Sequence, residues 1–292
     1  MTVLVTGAAG FIGNAVVRIL QQRGEQLLVL QHRWEGSASL DVALGSADIA
    51  ACLHLGWYAG ASDYLVNVFE NRRSLNDSLD LVAALGSRGC ARLVVAGTSA
   101  EYGVSPVPLV ESSEVAPWSV YGAAKASFHR LLCSSLRPTG MSVSWARLFN
   151  LTGPGESPTR LLPNVATHVL AGRPIELTDG TQVRDFLHVD DVARGLITAM
   201  DVGHDGAVNV CTGEGVRLRD LLVDLAEQLG EPSLLRFGER TRAKNDPDCV
   251  VGSSTVLRQL GWRPSFDKSQ TIVSVANYWR DMHQRTQPSS LK

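Results

Sequence analysis

The sequence places a tyrosine and a lysine four residues apart at the start of a predicted helix. Tyr121 and Lys125 stand in a Tyr-x-x-x-Lys arrangement, and the helical pattern continues to Leu136. Residues four apart share one face of a helix, so the ammonium of Lys125 can lie beside the phenol of Tyr121 and lower its pKa. The pair therefore predicts a group that gives or takes a proton during a reaction.

A glycine-rich loop near the N-terminus predicts dinucleotide binding. Its glycines follow the G-x-x-G-x-x-G pattern after a predicted strand, and a predicted helix over residues 14–23 follows them. Glycines let the backbone turn tightly and approach a pyrophosphate, while the amides and dipole of the helix favour negative charge. Tyr121 and Lys125 would then contact the nicotinamide end of the cofactor. The other residues expected to bind the cofactor through this loop and a later strand end are Gly7, Gly10, Phe11, Ile12, Gly13 and Leu55.

The end of the second predicted strand indicates which dinucleotide is bound. An acidic residue there would accept hydrogen bonds from the adenosine ribose of NAD, but Gln31 stands at that place and Arg33 follows. A guanidinium matches the 2′-phosphate of NADP, whereas a carboxylate would repel it. The sequence thus favours NADP(H), with Gln31 and Arg33 near the ribose, and leaves NAD(H) as the alternative.

Composition excludes several classes of protein. The chain has 292 residues, 45% of them hydrophobic and 19% charged, with a formal net charge of −2. Because no basic field is present, nucleic acid is not an expected partner. No segment has the roughly 20 apolar residues of a membrane span. The five scattered cysteines form no C-x-x-C pair, so we expect neither a disulfide framework nor a metal site, and a cytoplasmic location.

Short apolar runs alternate with helix-length stretches along the first half of the chain. Such runs are typical of strands buried on both faces of a parallel sheet, and the ligand of such a sheet lies beyond the carboxyl ends of its strands. We therefore predict an α/β fold: a Rossmann doubly wound parallel sheet with a smaller C-terminal substrate-binding lobe. The expected Rossmann domain covers residues 1–150 with a return segment at about 181–215, and the lobe covers 151–180 and 216–292. The predicted strands are Val3–Thr6, Leu27–Leu30, Ala51–Leu55, Leu93–Ala96 and Val143–Arg147.

The ordered motifs resemble those of the extended short-chain dehydrogenase/reductases of the NAD-dependent epimerase/dehydratase type, over nearly the whole chain. Besides the glycine loop and the Tyr-Lys pair, the stretches that carry the resemblance are 97–103 (GTSAEYG), 147–155 (RLFNLTGPG), 184–191 (RDFLHVDD) and 260–264 (LGWRP). The resemblance implies a nucleotide-activated sugar as substrate, with its diphosphate in the C-terminal lobe and its sugar against the nicotinamide.

The resemblance also assigns roles to individual residues. Thr98 falls on the catalytic Ser/Thr of the family, whose hydroxyl would hydrogen-bond the sugar carbonyl, and Ser99 is the fallback. Asn150 and Arg184 would bind the sugar diphosphate, although Asn150 could also be a turn former and Arg184 could pair with Asp185 or Asp190. Trp57 follows a strand end and would flank the nicotinamide or the sugar, with loop packing as the alternative. His188 is expected to cap the helix that follows it rather than to catalyse.

Departures from the family pattern narrow the reaction. The 4,6-dehydratases carry an Asp-Glu pair directly after the catalytic Thr, but Ser99 and Ala100 stand there, which removes the acid/base pair that elimination needs. The sequence then favours NAD(P)H-dependent reduction of the 4-keto group of a nucleotide-activated 6-deoxy sugar, as in deoxysugar biosynthesis. The alternative is a C4 epimerase with tightly bound NAD, and a non-catalytic cofactor-binding protein is the third hypothesis. A C4 reduction fits the abridged stretch between Leu30 and Ala51, where a strand or helix of the family is missing.

The predicted helices around the Tyr-Lys pair suggest how the chain assembles. Stretches 64–85 and 121–136 are amphipathic enough to pair with their copies in a four-helix interface. We therefore expect a homodimer.

Overall fold

The computed structural model describes residues 2–30, 33–60, 62–105, 108–134, 136–243 and 246–286. Strands and helices alternate through the first half, as predicted. The strands are β1 (Thr2–Thr6), β2 (Gln26–Leu30), β3 (Ile49–His54), β4 (Arg92–Thr98), β5 (Ser142–Leu148), β6 (Asn150–Thr152), β7 (Ile175–Leu177), β8 (Val183–Arg184), β9 (Phe186–His188), β10 (Gly206–Val210), β11 (Val216–Arg217), β12 (Leu235–Phe237) and β13 (Cys249–Val250). The α-helices are α1 (Phe11–Gln22), α2 (Gly36–Leu44), α3 (Val68–Ser87), α4 (Val120–Ser134), α5 (Leu161–Leu170), α6 (Val189–Asp201), α7 (Leu218–Leu229), α8 (Thr255–Gln259) and α9 (Lys268–Thr286).

Six strands form the main sheet in the order β10-β5-β4-β3-β1-β2, and every neighbouring pair is parallel. Successive residues of a strand face opposite sides of a sheet. In β1, accordingly, Val3 and Val5 pack on the side of α1 and α6, whereas Leu4 packs on the side of α3 and α4. The predicted doubly wound Rossmann sheet is confirmed.

A smaller group of elements forms a second core after Asn150. Helices α5, α7 and α9 pack around residues such as Leu162, Leu225 and Val275, which are 0–1% exposed. β10 leaves this part of the chain and pairs with β5 at the edge of the main sheet. The exact limits of the two lobes stay a prediction.

In the part of the sheet that the structure describes, no strand lies beyond β2. The classic doubly wound order places a further strand outside this one. Among the described residues between β2 and β3, only α2 forms a regular element, and β2 has no partner on its outer side. The described part of the abridged stretch between Leu30 and Ala51 thus contains a helix but no additional strand.

Two helix boundaries differ from the predictions. α1 begins at Phe11, because the chain turns directly from the glycine loop into the helix. α3 begins at Val68 instead of Tyr64, since the side chain of Asn67 accepts the backbone N–H of Glu70 and caps the helix there. Tyr64 consequently lies in the loop before α3. In the part of the chain that the structure describes, no helix is long and apolar enough to span a membrane.

Candidate active site

The glycine loop is shaped by two close backbone approaches. Gly7 has φ +67, and a Cβ on it would meet the backbone N of Gly56 at 2.7 Å. A Cβ on Gly13 would meet the carbonyl O of Gly7 at 2.1 Å. Larger residues therefore cannot replace these glycines without moving the loop. The conformation brings the end of β1, the start of α1 and the end of β3 together.

The N-terminus of α1 can receive an anion. Gly10 is its N-cap, no side chain caps the helix, and no acidic residue lies in its first turn. The first N–H groups of a helix have no partner within the helix and attract negative charge. Phe11 and Ile12 are half-buried against the core, and Leu55 donates its N–H to the carbonyl of Thr6 at 3.3 Å. This cradle fits the pyrophosphate of a dinucleotide.

Arg33 already has anionic partners. Its Nη1 contacts Glu70 Oε2 at 2.7 Å, its Nε donates to Asp77, and its Nη2 donates to Ser74 Oγ at 3.0 Å. Both carboxylates come from α3. The guanidinium therefore lies in an acidic surrounding, which opposes binding of a 2′-phosphate. Gln31 lies outside the described residues.

Thr98 is the last residue of β4, at the carboxyl edge of the sheet. Its Oγ1 accepts the backbone N–H of Ala100 at 3.2 Å, so the hydroxyl hydrogen is left to donate. The short 3-10 helix Ser99–Glu101 follows, and Ser99 is half-buried at its start. Neither Ser99 nor Ala100 offers a carboxylate beside Thr98.

A buried ion pair missed by the sequence reasoning lies behind Thr98. The carboxylate of Glu101, which is 0% exposed, accepts hydrogen bonds from Arg147 Nε at 3.0 Å, Trp145 Nε1 at 2.9 Å and Thr98 N at 2.8 Å. Burial raises the pKa of Glu101, while the Arg147 guanidinium lowers it. A signal for this pair was present, because an arginine in the apolar run of β5 needs a buried partner.

Tyr121 lies at the start of α4, half-buried, with the ring of Tyr64 edge-on at 5.1 Å between centroids. Burial raises the pKa of Tyr121 well above its usual value, while the Thr98 hydroxyl and the positive charge of Arg160 lower it. That Lys125 lowers this pKa stays a prediction. The ammonium lies 5.9 Å from the centre of the phenol ring and donates elsewhere.

Lys125 is buried, with 2% of its surface exposed. Its Nζ donates to the carbonyl of Ala96 at 2.6 Å and lies 3.9 Å from the centre of the Trp57 ring. Burial lowers the pKa of Lys125 to about 7, and the negative charge of Glu101 acts in the opposite direction. Trp57 thus contacts the predicted catalytic lysine.

Thr98, Tyr121 and Lys125 follow or precede elements at the carboxyl edge of the main sheet. The profile described as the NAD dependent epimerase/dehydratase family matches residues 3–211. The chain belongs to this family.

Relatives within the NAD dependent epimerase/dehydratase family match almost the full chain. A UDP-glucose 4-epimerase of Azospirillum brasilense is 27% identical over 95% of this chain and 91% of its own. Another, of Corynebacterium glutamicum, is 27% identical over 94% of both chains. The solved UDP-glucose 4-epimerase of Thermus thermophilus, in complex with NAD, is 27% identical, covers 96% of this chain and 99% of its own, and has a TM-score of 0.88. MoeE5 in complex with UDP-glucose and NAD is 26% identical, covers 97% and 99%, and has a TM-score of 0.85.

Asn150, Arg184 and His188 of this family member lie on β6, β8 and β9. Asn150 opens β6 and is half-buried, and its side chain has no hydrogen-bond partner among the described residues. Arg184 is 8% exposed and donates to Asp246 and to the carbonyl of Pro247 at 2.8 Å. Its partner is thus neither Asp185 nor Asp190. His188 caps α6 by accepting the N–H of Asp190, as expected.

Arg160 is a cation near the reacting groups that sequence reasoning missed. It is the N-cap residue of α5, its guanidinium lies 4.8 Å from the centre of the Tyr64 ring, and its Nη2 donates to the carbonyl of Ala59 at 2.7 Å. The positive charge of Arg160 lowers the pKa of Tyr121. Nothing in its local sequence marks it, because the contact joins loops about 100 residues apart.

Proposed function

We propose that this protein interconverts the C4 epimers of a nucleotide-activated sugar, using NAD. The convergence of Thr98, Tyr121 and Lys125 at the carboxyl edge of the sheet carries the proposal, together with the lack of carboxylates at Ser99 and Ala100. The similarity to UDP-glucose 4-epimerases supports it, since it extends over nearly the whole chain. The proposed cofactor-binding residues are those of the glycine loop, Leu55, Tyr121 and Lys125.

In the proposed mechanism, Tyr121 takes the proton of the 4-hydroxyl as hydride leaves C4. Bound NAD supplies the hydride acceptor for this step and the donor for the return. Thr98 donates its hydroxyl hydrogen to the sugar oxygen, which stabilises charge that develops there. Tyr121 then returns the proton after the sugar has presented its other face. In its charged form, Lys125 would favour the phenolate of Tyr121.

The substrate diphosphate would lie at the N-terminus of α5. This helix has no side-chain cap and has Arg160 as its N-cap residue, so its first amides and a nearby guanidinium could both serve an anion. Asn150, whose side chain has no hydrogen-bond partner in the described part of the chain, and Arg184 remain proposed ligands. Arg184 would act with the segment around Asp246, to which it is bound. Trp57 and Ser99 would line the sugar end.

Arg33 and its partners favour NAD over NADP. Glu70 and Asp77 already compensate the guanidinium, and their charges would repel a 2′-phosphate. The solved relatives described above are complexes with NAD. We therefore propose NAD as the cofactor, against the NADP(H) preference inferred from the sequence.

The test is conversion of UDP-glucose to UDP-galactose, and of the dTDP sugars, followed by proton NMR of the anomeric signals. We expect an equilibrium mixture without added reductant. Absence of conversion with every nucleotide sugar, by protein that has been loaded with NAD, contradicts the proposal.

One observation favours a second candidate, the 4-ketoreductase. With no strand outside β2, the sheet offers less surface to the adenine end of the cofactor, which fits a cofactor that leaves after each turnover. The reductase would consume NADH or NADPH stoichiometrically with a 4-keto-6-deoxy sugar nucleotide, seen as loss of reduced-nicotinamide absorbance. Consumption without epimerisation would replace the first proposal by this one.

We also propose a homodimer formed through α3 and α4, which pack against each other. Val68 and Phe69 are 65% and 60% exposed at the start of α3. Apolar side chains in this position are available to a second copy.

A further inference from the structure

Two aromatic rings from one loop contact the two residues of the Tyr-x-x-x-Lys pair. The ring of Trp57 lies under the ammonium of Lys125 at 3.9 Å, and the ring of Tyr64 meets that of Tyr121 at 5.1 Å. Both contacts come from the segment between β3 and α3. We propose that Trp57 is a positioning residue that holds Lys125 in place and in its charged form. This inference rests on the proposed function for its role in turnover.

A buried amide fixes the place of the indole. Asn71, which is 0% exposed, accepts the Nε1–H of Trp57 at 2.9 Å through its Oδ1. Its own amide group donates to the carbonyls of Tyr64 at 2.7 Å and Asn67 at 2.9 Å. Asn71 therefore ties both aromatic contacts to α3. Its polar atoms are all engaged within the loop and helix, so the indole orientation is set independently of Lys125.

Packing from α4 fixes the other side of the indole. The ring of Phe128, one turn after Lys125, stacks on Trp57 with centroids 6.4 Å apart and 30° between planes. Gly56, directly before Trp57, donates its N–H to Thr6 Oγ1 at 3.1 Å and touches Gly7. The backbone directly before Trp57 thus contacts the glycine loop.

The indole face compensates part of the cost of burying an ammonium. A charged amine loses its hydration on burial and needs partners for three hydrogens. For Lys125, the carbonyl of Ala96 takes one, and the electron-rich face of Trp57 attracts the remaining positive charge. A desolvated cation–π contact is among the stronger contacts of its kind.

The other titratable groups around Lys125 do not replace this contact. On β3, burial lowers the pKa of His54 to about 3, so the imidazole is neutral at pH 7 and does not compensate the charge of the ammonium. On the same helix, the raised pKa of Tyr121 keeps the phenol neutral. The carboxylate of Glu101 is the nearby anion that favours the ammonium, and it is already paired with Arg147. Removing the indole face should therefore lower the pKa of Lys125 further.

Direct titration of Lys125 tests the inference without depending on turnover. The chain has four lysines, at positions 125, 244, 268 and 292. Protein labelled with 13C at the lysine Cε therefore gives few signals, and a Lys125→Arg variant assigns the one of interest. In Trp57→Leu, we expect the midpoint of Lys125 to fall by about one pH unit. Trp57→Phe, which keeps a ring face but loses the bond to Asn71, should lower it by less.

Activity and a control complete the experiment. In Trp57→Leu, Lys125 should lose its charge at a lower pH than in the parent protein. The alkaline limb of the pH profile of kcat/KM should therefore shift to lower pH by the same amount. Trp118→Leu makes the same substitution at a 41% exposed tryptophan and should leave the Lys125 titration unchanged. An unchanged Lys125 midpoint in Trp57→Leu overturns the inference. Failure of the proposed function appears separately, as absence of sugar conversion in the unmodified protein.

Discussion

The carboxylate of Glu101 accepts the backbone N–H of Thr98 at 2.8 Å while it pairs with Arg147 at 3.0 Å. The residue expected to touch the sugar is therefore held by a buried ion pair that links the 3-10 helix after β4 to β5. This relationship makes the position of Thr98 depend on a charge that never reaches the substrate.

Glu101→Gln should destabilise the protein strongly. The change leaves the Arg147 guanidinium buried without its counter-ion, and breaking such a pair costs about 3 kcal/mol of unfolding free energy. Urea unfolding followed by circular dichroism measures the loss. Asp41→Asn is the matched control, because Asp41 pairs with Arg88 but its side chain is 58% exposed, and it should change stability by less than about 1 kcal/mol. Equal effects of the two variants would contradict a structural role for the buried pair.

Tyr121→Phe should lower kcat by about 10²–10⁴-fold, because the group that exchanges the proton is removed. Cofactor affinity should stay within a few-fold, since the ring and Lys125 remain. Quenched time-point assays of sugar conversion measure kcat, and fluorescence titration with NADH measures cofactor affinity. Tyr64→Phe, which keeps the ring beside Tyr121, is the control. Near-normal turnover of Tyr121→Phe would remove this residue from the mechanism.

Asp77→Asn should improve binding of NADPH by several-fold and change binding of NADH little. The substitution frees Arg33 from one of its two carboxylates, so the guanidinium can approach a 2′-phosphate. Isothermal titration with each reduced cofactor gives the ratio of dissociation constants. Asp80→Asn, on the same helix, is the control. If NADPH and NADH respond alike to Asp77→Asn, Arg33 does not lie near the ribose.

His54 should make stability depend on pH below neutrality. Burial lowers its pKa from 6.5 to about 3, so the unfolded chain binds a proton in this window that the folded chain does not. Stability contributed by neutral His54 is therefore lost as pH falls below 6.5, by about 2 kcal/mol at pH 5. The measurement is the difference in urea midpoints between the parent protein and His54→Gln at pH 7 and pH 5. A difference that does not shrink at pH 5 means that His54 is protonated in the folded state.

Phe69→Glu should weaken the proposed homodimer. The new carboxylate would be placed in an apolar contact between copies of α3, where burying a charge is costly. Light scattering after size-exclusion chromatography should show a lower mass at micromolar concentration. Val42→Glu, at an 83% exposed position on α2, provides the control. A mass that is unchanged in Phe69→Glu places the interface elsewhere or excludes it.

The local pattern of apolar residues and glycines in the sequence was enough to predict much of this fold. The apolar runs predicted the strands from β1 to β5, and the Tyr121 to Lys125 spacing predicted the start of α4. Such features depend on neighbours within a few residues, and their physical causes are visible in the sequence. The glycine spacing likewise predicted the turn before α1.

Contacts between distant segments were not predictable in the same way. Glu101 and Arg147 are 46 residues apart, and Arg33 meets Asp77 across 44 residues. A single sequence shows that a buried arginine needs a partner but not which carboxylate it takes. The pairing of Trp57 with Lys125 has the same origin, because a loop conformation set by Asn71 decides it. The contact of Arg33 with Asp77 is also one on which the proposal of NAD rests.

In the described sheet, β2 is an edge strand, and it lies three strands away from β4. The edge at β2 and the residues at the end of β4 could therefore change at different rates in evolution. β1 and β3 lie between this edge and β4, which carries Thr98. An edge strand accepts another strand through backbone hydrogen bonds alone. A segment gained or lost there would reshape the proposed adenine end of the cofactor site while the strand pairs from β1 to β5 stayed intact. Selection could therefore adjust how long the cofactor stays bound without rebuilding the chemistry.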